Sequence, residues 1–376
     1  MKGIVLLVCV ALLLVMPPML PPRIGQIDFP AYWSASYLLA RGENFGDPAR
    51  LLQIEQTLTT WPETYPMLTW NPPWLLVILL PYTLVPFERA AWWWMLTNIT
   101  LVSLSALALW RMKAATTRMR EWLRWAPVFA FAFAPTLVAL IAGQVNLLVL
   151  IGITGYLFFR QREQYGWAGI ALALTMVKPH LVYLTVPLVL YVEWRQRRWR
   201  VLGGFFGTLS ALTLLVFLRR PTFLLDYATA VEGGRLFEYV TPTVGGILAW
   251  LLGWDGWKWI GVVVLPLALW YVHRLNNVAI PKLVDVTLLV SIVTAPFGWS
   301  YDFVILLVPL FTMLVWLGDG TLARNQLVVI VGLMILADAL IFYQRVVSPA
   351  EFYFFWIPLA IAAFYAWILM QRQVYA

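Results

Sequence analysis

The stretch WAPVFAFAFAPTLVALIAGQVNLLVLIGITGYLFFR, residues 125–160, decides the fold class, because it carries no charged side chain before its final arginine. Its two apolar halves meet at Gly143-Gln144-Val145-Asn146, where a glycine and polar side chains indicate a turn. A membrane-spanning helix needs about 20 predominantly apolar residues, so each half approaches the length of one crossing. We therefore predict two membrane-spanning helices joined by this turn.

The rest of the chain repeats this pattern of apolar segments between charged or turn-rich breaks. Hydrophobic residues make up 62% and charged residues 12% of the 376 positions, whereas soluble domains carry about a quarter charged residues. The composition excludes a water-soluble fold and predicts an all-α, polytopic transmembrane helical bundle, with residues 1–376 in one membrane domain. About twelve spans are predicted, at 3–20, 90–111, 126–142, 145–160, 167–177, 180–194, 201–218, 258–274, 282–297, 303–317, 326–342 and 354–371.

The first apolar segment, residues 3–20, admits two interpretations, a cleaved signal peptide or an uncleaved membrane anchor. It has no small-residue cleavage site and runs into Met16-Pro17-Pro18, so we favour the anchor. The single cysteine, Cys9, excludes a disulfide framework, and the two histidines, His180 and His273, disfavour a histidine-built metal site. No carboxylate cluster such as Asp-X-Asp indicates a metal either.

The distribution of charge predicts the orientation of the chain. The net charge of +8 would suit nucleic acid, but the basic residues lie between apolar segments, where the cytoplasmic preference of lysine and arginine explains them. If the proline-rich apolar segment Pro72–Phe87 stays on the outer face, the inner loops hold 16 of the 26 basic residues. We therefore predict a re-entrant or outer-leaflet element there and place both termini in the cytoplasm.

Two long loops, residues 21–89 and 219–257, then face outward, while the inner loops are short and basic. Helical patterns around Ala31–Ala40 and Ala49–Leu58 predict outer helices that lie along the membrane interface. The side chains expected to anchor them are Tyr32, Trp33, Tyr37 and Trp61. We expect the function to lie on this outer face.

Asp28, in Gly25-Gln26-Ile27-Asp28-Phe29-Pro30, is the sharpest candidate for chemistry. A carboxylate at the membrane surface is suited to act as a general base that takes the proton of an acceptor hydroxyl as it attacks an activated carbon. The alternative is a helix N-cap, because aspartate before Phe29-Pro30 is a good helix-start signal. The two roles are compatible.

Lys178-Pro179-His180 lies at a break between two short spans, and a lysine near lipid usually marks a functional partner. A lipid phosphate is the natural partner, because a cation offsets charge that develops on a phosphate leaving group. The alternative is a lysine that snorkels to the interface. His180 would bond the same phosphate or an acceptor hydroxyl, or serve the structure, and Arg235 is a candidate second phosphate ligand.

Weaker polar motifs fall on the same predicted face. Gln144 and Asn146 would bind sugar hydroxyls or cap their turn, and Trp299-Ser300-Tyr301-Asp302 makes another outer turn. Trp70-Asn71-Pro72-Pro73 belongs to the re-entrant element. The candidate acceptor or cavity-lining side chains are Tyr32, Trp33, Asn71, Trp299, Tyr301 and Asp302.

Taken in order, these motifs resemble glycosyltransferase family 87, enzymes of the GT-C class that use polyprenyl-phosphate sugars. In relatives the outer turn often carries histidine where this chain has Trp299–Asp302, so the role of that histidine is lost or passes to Tyr301 or Asp302. The segments that carry the resemblance are Asp28–Trp33 with Leu39–Gly42, Asn71–Pro73 with Leu80-Pro81, Gly143–Asn146, Ala168–Pro179, Arg198–Arg200 and Ala295–Ser300.

The resemblance implies a GT-C fold with an extracytoplasmic active site, Asp28 as catalytic base, and Lys178 with the Gln144 region around the donor phosphate or sugar. The implied reaction transfers a hexose, mannose by analogy with the family, from a polyprenyl-phosphate donor to a lipid or glycan acceptor with inversion. We expect no cofactor and no metal. The expected partners are the donor, the acceptor and the bilayer, without nucleic acid.

Two other classes of function are open to such a chain. A transporter or lipid-linked sugar flippase predicts polar residues at mid-membrane on several helices, whereas the helix centres here are apolar and the polar motifs gather at one face. A non-catalytic scaffold leaves the ordered outer motifs unexplained. We therefore favour an enzyme.

Overall fold

The computed structural model describes residues 25–59, 62–233, 239–321, 324–348 and 350–374. Regular structure in these ranges is helical and includes no strand, which confirms the all-α class. Short 3-10 helices connect several of the α-helices. In chain order the α-helices are α1 (Phe29–Ala40), α2 (Pro48–Leu58), α3 (Trp74–Leu79), α4 (Phe87–Lys113), α5 (Ala126–Ala132), α6 (Ala134–Ala142), α7 (Asn146–Gln161), α8 (Tyr165–Leu174), α9 (Thr185–Arg195), α10 (Trp199–Arg219), α11 (Phe223–Gly233), α12 (Val244–Leu252), α13 (Gly261–Arg274), α14 (Ile280–Thr294), α15 (Leu307–Trp316), α16 (Arg324–Val347) and α17 (Trp356–Val374).

Helical segments coincide with each predicted span that falls in the described ranges. Segments long and apolar enough to cross a membrane alone are Phe87–Lys113, Trp199–Arg219, Ser300–Gly320, Val328–Val347 and Glu351–Arg372. A sixth is the pair Arg118–Ala132 and Ala134–Ala142, bent by 64°, if it counts as one span. The membrane fold is confirmed, while the number and direction of the crossings stay predictions. Residues 3–20, Trp61 and Arg235 lie outside the described residues.

The bend between α5 and α6 has a local cause. Pro135 falls in the first turn of α6, where a residue without an N–H is tolerated, whereas inside a continuous helix its ring would clash with the preceding turn. The chain is extended at Phe133, with φ −72° and ψ 113°. The N–H of Ala134, left without a helical partner, donates to Asp338 Oδ1 at 2.8 Å. The Asp338 carboxylate therefore provides the hydrogen-bond acceptor that the Ala134 N–H lacks at the break.

The chain divides into two compact units, each described here by itself. Unit 1 comprises Met1–Thr100, Leu140–Gln144 and Leu212–Arg235, and unit 2 comprises Leu101–Ala139, Val145–Ala211 and Leu236–Ala376. The expectation of one membrane domain over the whole chain stays a prediction.

Helix α1 belongs to the core of unit 1. Ten of its 12 residues are buried, and the Phe29 ring stacks on Phe87 and Trp94 with centroids 5.9 and 5.7 Å apart. Tyr32 and Trp33, which we expected to anchor this helix at the membrane interface, are buried instead. The aromatic rings pack the interior because α1 is apolar on all sides rather than on one.

The proline-rich segment of unit 1 forms α3 followed by a 3-10 helix, Leu80–Leu84. Together they rise less than about 20 Å, whereas the hydrocarbon core of a bilayer is about 30 Å thick. The segment is therefore too short to cross as a helix. This supports the outer or re-entrant interpretation of Pro72–Phe87, which stays a prediction.

Close helix contacts in unit 2 use glycine. A Cβ on Gly152 of α7 would lie 2.9 Å from the Ala171 oxygen of α8, and one on Gly169 would lie 2.1 Å from the Val201 oxygen of α10. Small residues allow helix backbones to approach this closely. Helix α7 also packs against the 3-10 helices Thr175–Val177 and Ser300–Leu306. Asn146, the first residue of α7, thereby lies beside Tyr301 of the second 3-10 helix.

Candidate active site

Asp28 lies immediately before α1, and its backbone N–H donates to the Ala142 oxygen at 2.8 Å. The position is the N-cap of α1, as the sequence predicted, but the side chain makes no capping hydrogen bond. Instead, Oδ2 of the half-buried carboxylate accepts a hydrogen bond from Gln144 Nε2 at 2.5 Å. The side chain is therefore directed to the turn at Gln144 and not to the helix.

Gln144 connects Asp28 to a tyrosine. Its Oε1 accepts a hydrogen bond from the Tyr32 hydroxyl at 3.0 Å, and its side chain is buried. An ionised carboxylate can only accept, so the amide must turn its NH₂ toward Asp28 and its oxygen toward the hydroxyl. The amide is a neutral donor. This contact fixes the Asp28 carboxylate without neutralising its charge.

The turn that carries Gln144 requires a glycine. Gly143 has φ +70°, and a Cβ there would lie 2.3 Å from the Gly25 oxygen. Two side chains of α4 hold the turn: Trp94 Nε1 donates to the Gly143 oxygen at 2.9 Å and Asn98 Nδ2 to the Gln144 oxygen at 3.3 Å. Neither side chain was predicted from the sequence to support the site. The available signal was Asn98, an amide inside an apolar helix.

Lys178 and Asp302 form a buried ion pair in unit 2. Lys178 Nζ donates to Asp302 Oδ1 at 2.7 Å, and the residues are 4% and 0% exposed. Lys178 stands between the 3-10 turns Thr175–Val177 and Pro179–Leu181, where Pro179 disfavours helical backbone at the residue before it. The lysine is held inside the protein, so the snorkelling alternative is wrong.

Asn146 and Tyr301 complete the surroundings of this pair. Asn146 Nδ2 donates to the Tyr301 oxygen at 2.6 Å and lies 3.4 Å from Asp302 Oδ1. The Tyr301 ring centroid is 4.8 Å from Lys178 Nζ, a cation–π distance. Asp302 Oδ2 accepts the backbone N–H of Trp299 at 3.0 Å. The predicted outer turn therefore wraps the lysine.

Two buried polar atoms beside this turn have no hydrogen-bond partner among the described residues, Asn146 Oδ1 and His180 Nε2. The His180 ring lies against Phe297, with ring centroids 4.5 Å apart. Buried polar atoms normally find a partner, and exceptions often mark a place where a ligand or water binds. An acceptor oxygen and an imidazole nitrogen are suited to sugar hydroxyls.

A model of glycosyltransferase family 87 matches residues 69–299, more than half of the chain. The chain belongs to glycosyltransferase family 87. The family confirms the resemblance seen in the sequence and indicates a membrane glycosyltransferase, which uses a sugar donor and an acceptor. The matched range includes Gln144 and Lys178 but neither Asp28 nor Asp302. Comparisons with curated proteins and with solved structures gave no match.

In this family-87 glycosyltransferase, two residues that were not predicted site residues, Arg345 and Glu351, support the Trp299–Asp302 turn. The Ser300 N–H donates to Glu351 Oε2 at 2.8 Å. Arg345 bonds both Glu351, at 2.8 Å, and the Ser300 hydroxyl. Glu351 and Arg345 come late in the chain without a motif around them, so only the folded structure brings them to the turn.

The remaining predicted site residues of the glycosyltransferase are spread over unit 1 and the undescribed residues. The Trp33 Nε1–H group donates a hydrogen bond to the Tyr82 backbone oxygen at 3.0 Å, and the side chain packs inside the core of unit 1. Asn71, half-buried, precedes α3. Arg235 lies outside the described residues. The described residues hold no group of three or more His, Cys, Asp or Glu side chains placed for a metal ion.

Proposed function

We propose that this glycosyltransferase transfers a hexose from a polyprenyl-phosphate donor to a lipid or glycan acceptor, on the extracytoplasmic face and with inversion. Mannose is the sugar that the resemblance to the family favours. The observation that carries the proposal is the Asp28 carboxylate held at 2.5 Å by the neutral amide of Gln144. A base needs this arrangement, because it must be fixed in place and still be able to take a proton.

The proposed reaction is one displacement. Asp28 takes the proton of the acceptor hydroxyl while the hydroxyl oxygen attacks the anomeric carbon of the donor sugar. The bond from that carbon to the phosphate oxygen breaks, and the polyprenyl phosphate leaves with the electron pair. Attack opposite the leaving group inverts the configuration. Every atom is supplied by the donor and acceptor, so the reaction requires no cofactor.

The Lys178 cluster is assigned to the donor. A cation near the leaving phosphate offsets the charge that develops there, and Asp302 holds the Lys178 ammonium at 2.7 Å. Asn146 Oδ1 and His180 Nε2, buried without a hydrogen-bond partner among the described residues, are assigned to hydroxyls of the donor sugar. Arg235 remains the proposed second phosphate ligand.

The deciding experiment compares wild type with Asp28→Asn in membranes incubated with a panel of radiolabelled polyprenyl-phosphate sugars. We expect wild type to label an acceptor from one donor and Asp28→Asn to transfer about a thousandfold more slowly, because general-base catalysis contributes about 10²–10⁴-fold. Asp47→Asn is the matched control, since Asp47 caps α2 with its side chain and asparagine caps a helix equally well.

Equal transfer by wild type and Asp28→Asn would rule out Asp28 as the base. Movement of the intact donor across the bilayer, without transfer, would instead favour the flippase alternative.

The orientation of the chain in the membrane is tested separately with Arg200→Cys in a Cys9→Ser background. We expect an impermeant thiol reagent to leave this cysteine unlabelled from the outside, and labelling would contradict the outer placement of Pro72–Phe87.

A further inference from the structure

A cavity of about 740 Å³ lies within unit 2. Its walls come from the C-terminal end of α4, the end of α7 and the 3-10 helix Arg118–Trp125. None of the lining residues belongs to the Asp28 or Lys178 clusters, and the proposed transfer reaction gives the cavity no role.

Three arginines line this cavity, Arg111, Arg120 and Arg162, and no acidic side chain is among the lining residues. All three are exposed. Arg111 and Arg120 make no side-chain hydrogen bond or ion pair with the described residues. Arg162 stacks on the Phe158 ring, with its guanidinium carbon 3.5 Å from the ring centroid. Three arginines without a carboxylate among the lining residues leave positive charge at the cavity that an anion would neutralise.

A structural role explains only part of this arrangement. Basic residues at helix C-termini commonly bond the last carbonyls, and Arg162 does so through the Phe158 oxygen at 3.4 Å. Arg111 and Arg120 have no such bond to any residue that the structure describes. General orientation signals explain basic residues in a loop but not their meeting around a concave space. Guanidinium groups bind phosphate through paired N–H donors, which makes arginine the residue suited to a phosphate here.

The position of the cavity favours a lipid as the source of such a phosphate. Helix α4 is long and apolar enough to span a membrane and ends at Lys113, so the cavity lies where that span meets the membrane surface. Trp122 and Trp125 of the adjoining 3-10 helix are 49% and 45% exposed, which is typical of aromatic anchors at headgroup level. Trp110 and Leu123 give the cavity apolar wall beside the charge.

We propose that the arginine cavity formed by Arg111, Arg120 and Arg162 binds the phosphate of an anionic membrane lipid. Basic pockets between membrane helices are suited to such headgroups. The lipid is a bound component of the membrane protein and takes no part in the sugar transfer.

The test uses the purified full chain in nanodiscs of phosphatidylcholine with a minor fraction of phosphatidylglycerol, and counts retained lipid by native mass spectrometry. The variant Arg111→Gln, Arg120→Gln, Arg162→Gln is expected to retain at least about tenfold less phosphatidylglycerol, because it removes the charge-assisted bonds. A control with the same loss of charge changes Arg197, Arg200 and Arg274, exposed arginines outside the cavity, to glutamine and is expected to behave as wild type.

The source of the phosphate is tested by adding millimolar inorganic phosphate, which we expect not to displace the lipid. Equal retention by the cavity variant and wild type overturns the proposal. So does displacement by inorganic phosphate, because the ligand would then be a soluble anion. If the triple variant does not fold, the single variant Arg120→Gln, changed on an exposed position of the 3-10 helix, is compared with Arg200→Gln by the same count.

Discussion

Asp28 in unit 1 and Asp302 in unit 2 are both aspartates beside a polar turn, but their partners differ in charge. Asp28, half-buried, accepts from the neutral amide of Gln144 at 2.5 Å. Asp302, fully buried, accepts from the ammonium of Lys178 at 2.7 Å. A buried carboxylate needs a cation to offset its desolvation. Asp302 therefore holds a cation, whereas the contact of Gln144 with Asp28 brings no opposite charge to that carboxylate.

The difference separates two kinds of residue that look alike in the sequence. A carboxylate whose charge balances a buried lysine cannot take a proton without leaving that lysine unpaired. A carboxylate held by an amide can take a proton and keep one hydrogen bond. Asp302 is therefore better described as a positioning residue for Lys178 than as a side chain that lines the acceptor site.

The largest expected effect comes from breaking the ion pair of unit 2. Lys178→Met leaves the buried Asp302 carboxylate without its cation and is expected to cost about 3–5 kcal/mol of stability. The double variant Lys178→Met, Asp302→Leu removes both charges and is expected to regain most of this loss, because a pair of apolar side chains tolerates burial. The thermal unfolding midpoint of the purified protein measures both.

The double variant also separates folding from function. If Lys178 binds the donor phosphate, the double variant folds but transfers sugar at least about 100-fold more slowly, as expected when a charge at the leaving group is lost. Transfer at the wild-type rate would exclude Lys178 as a phosphate ligand. Glu43→Gln serves as control, because its pair with Arg50 is exposed and exposed pairs contribute less than about 1 kcal/mol.

Glu55 in unit 1 sharpens the comparison, because this buried carboxyl contacts neither a cation nor a side-chain amide within the part of the chain that the structure describes. Its Oε2 accepts only the Met67 backbone N–H, at 2.9 Å, and its Oε1 has no hydrogen-bond partner among the described residues. Burial raises the pKa of Glu55 from 4.5 to about 8, and the Met67 bond offsets part of this rise. Glu55 is therefore protonated at neutral pH in the folded protein.

The raised pKa of Glu55 predicts how stability depends on pH. The folded state keeps the proton while the unfolded chain loses it above pH 4.5, so stability falls between about pH 4.5 and 8 and is level beyond. The total fall is at most about 5 kcal/mol, at 1.36 kcal/mol per pKa unit. In Glu55→Gln the thermal unfolding midpoint is expected to change less with pH over this range. The control Glu63→Gln, at an exposed position, is expected to keep the wild-type dependence on pH. Equal slopes for wild type and Glu55→Gln would contradict the prediction.

The sequence was sufficient for the helices but not for the side-chain pairing. Apolar length between charged breaks predicted the spans, because lipid imposes the same requirement on every crossing. The pairs Asp28 with Gln144 and Lys178 with Asp302 join residues more than 100 positions apart, and such contacts depend on how helices pack. The burial of α1 was not predicted either. Aromatic residues suit a membrane interface and a protein core equally, and only the packing of the helices decides between the two.

The smallest expected effect concerns the Gln144 amide, which holds Asp28 in unit 1. Gln144→Leu removes the hydrogen bond to Asp28 and is expected to lower kcat roughly tenfold, in line with the net value of one hydrogen bond to a charged group. Tyr32→Phe, which removes a bond to Gln144, should lower kcat less. An unchanged kcat in Gln144→Leu would mean that the amide does not hold Asp28 during the reaction, and the contrast with the lysine-held Asp302 would lose its functional meaning.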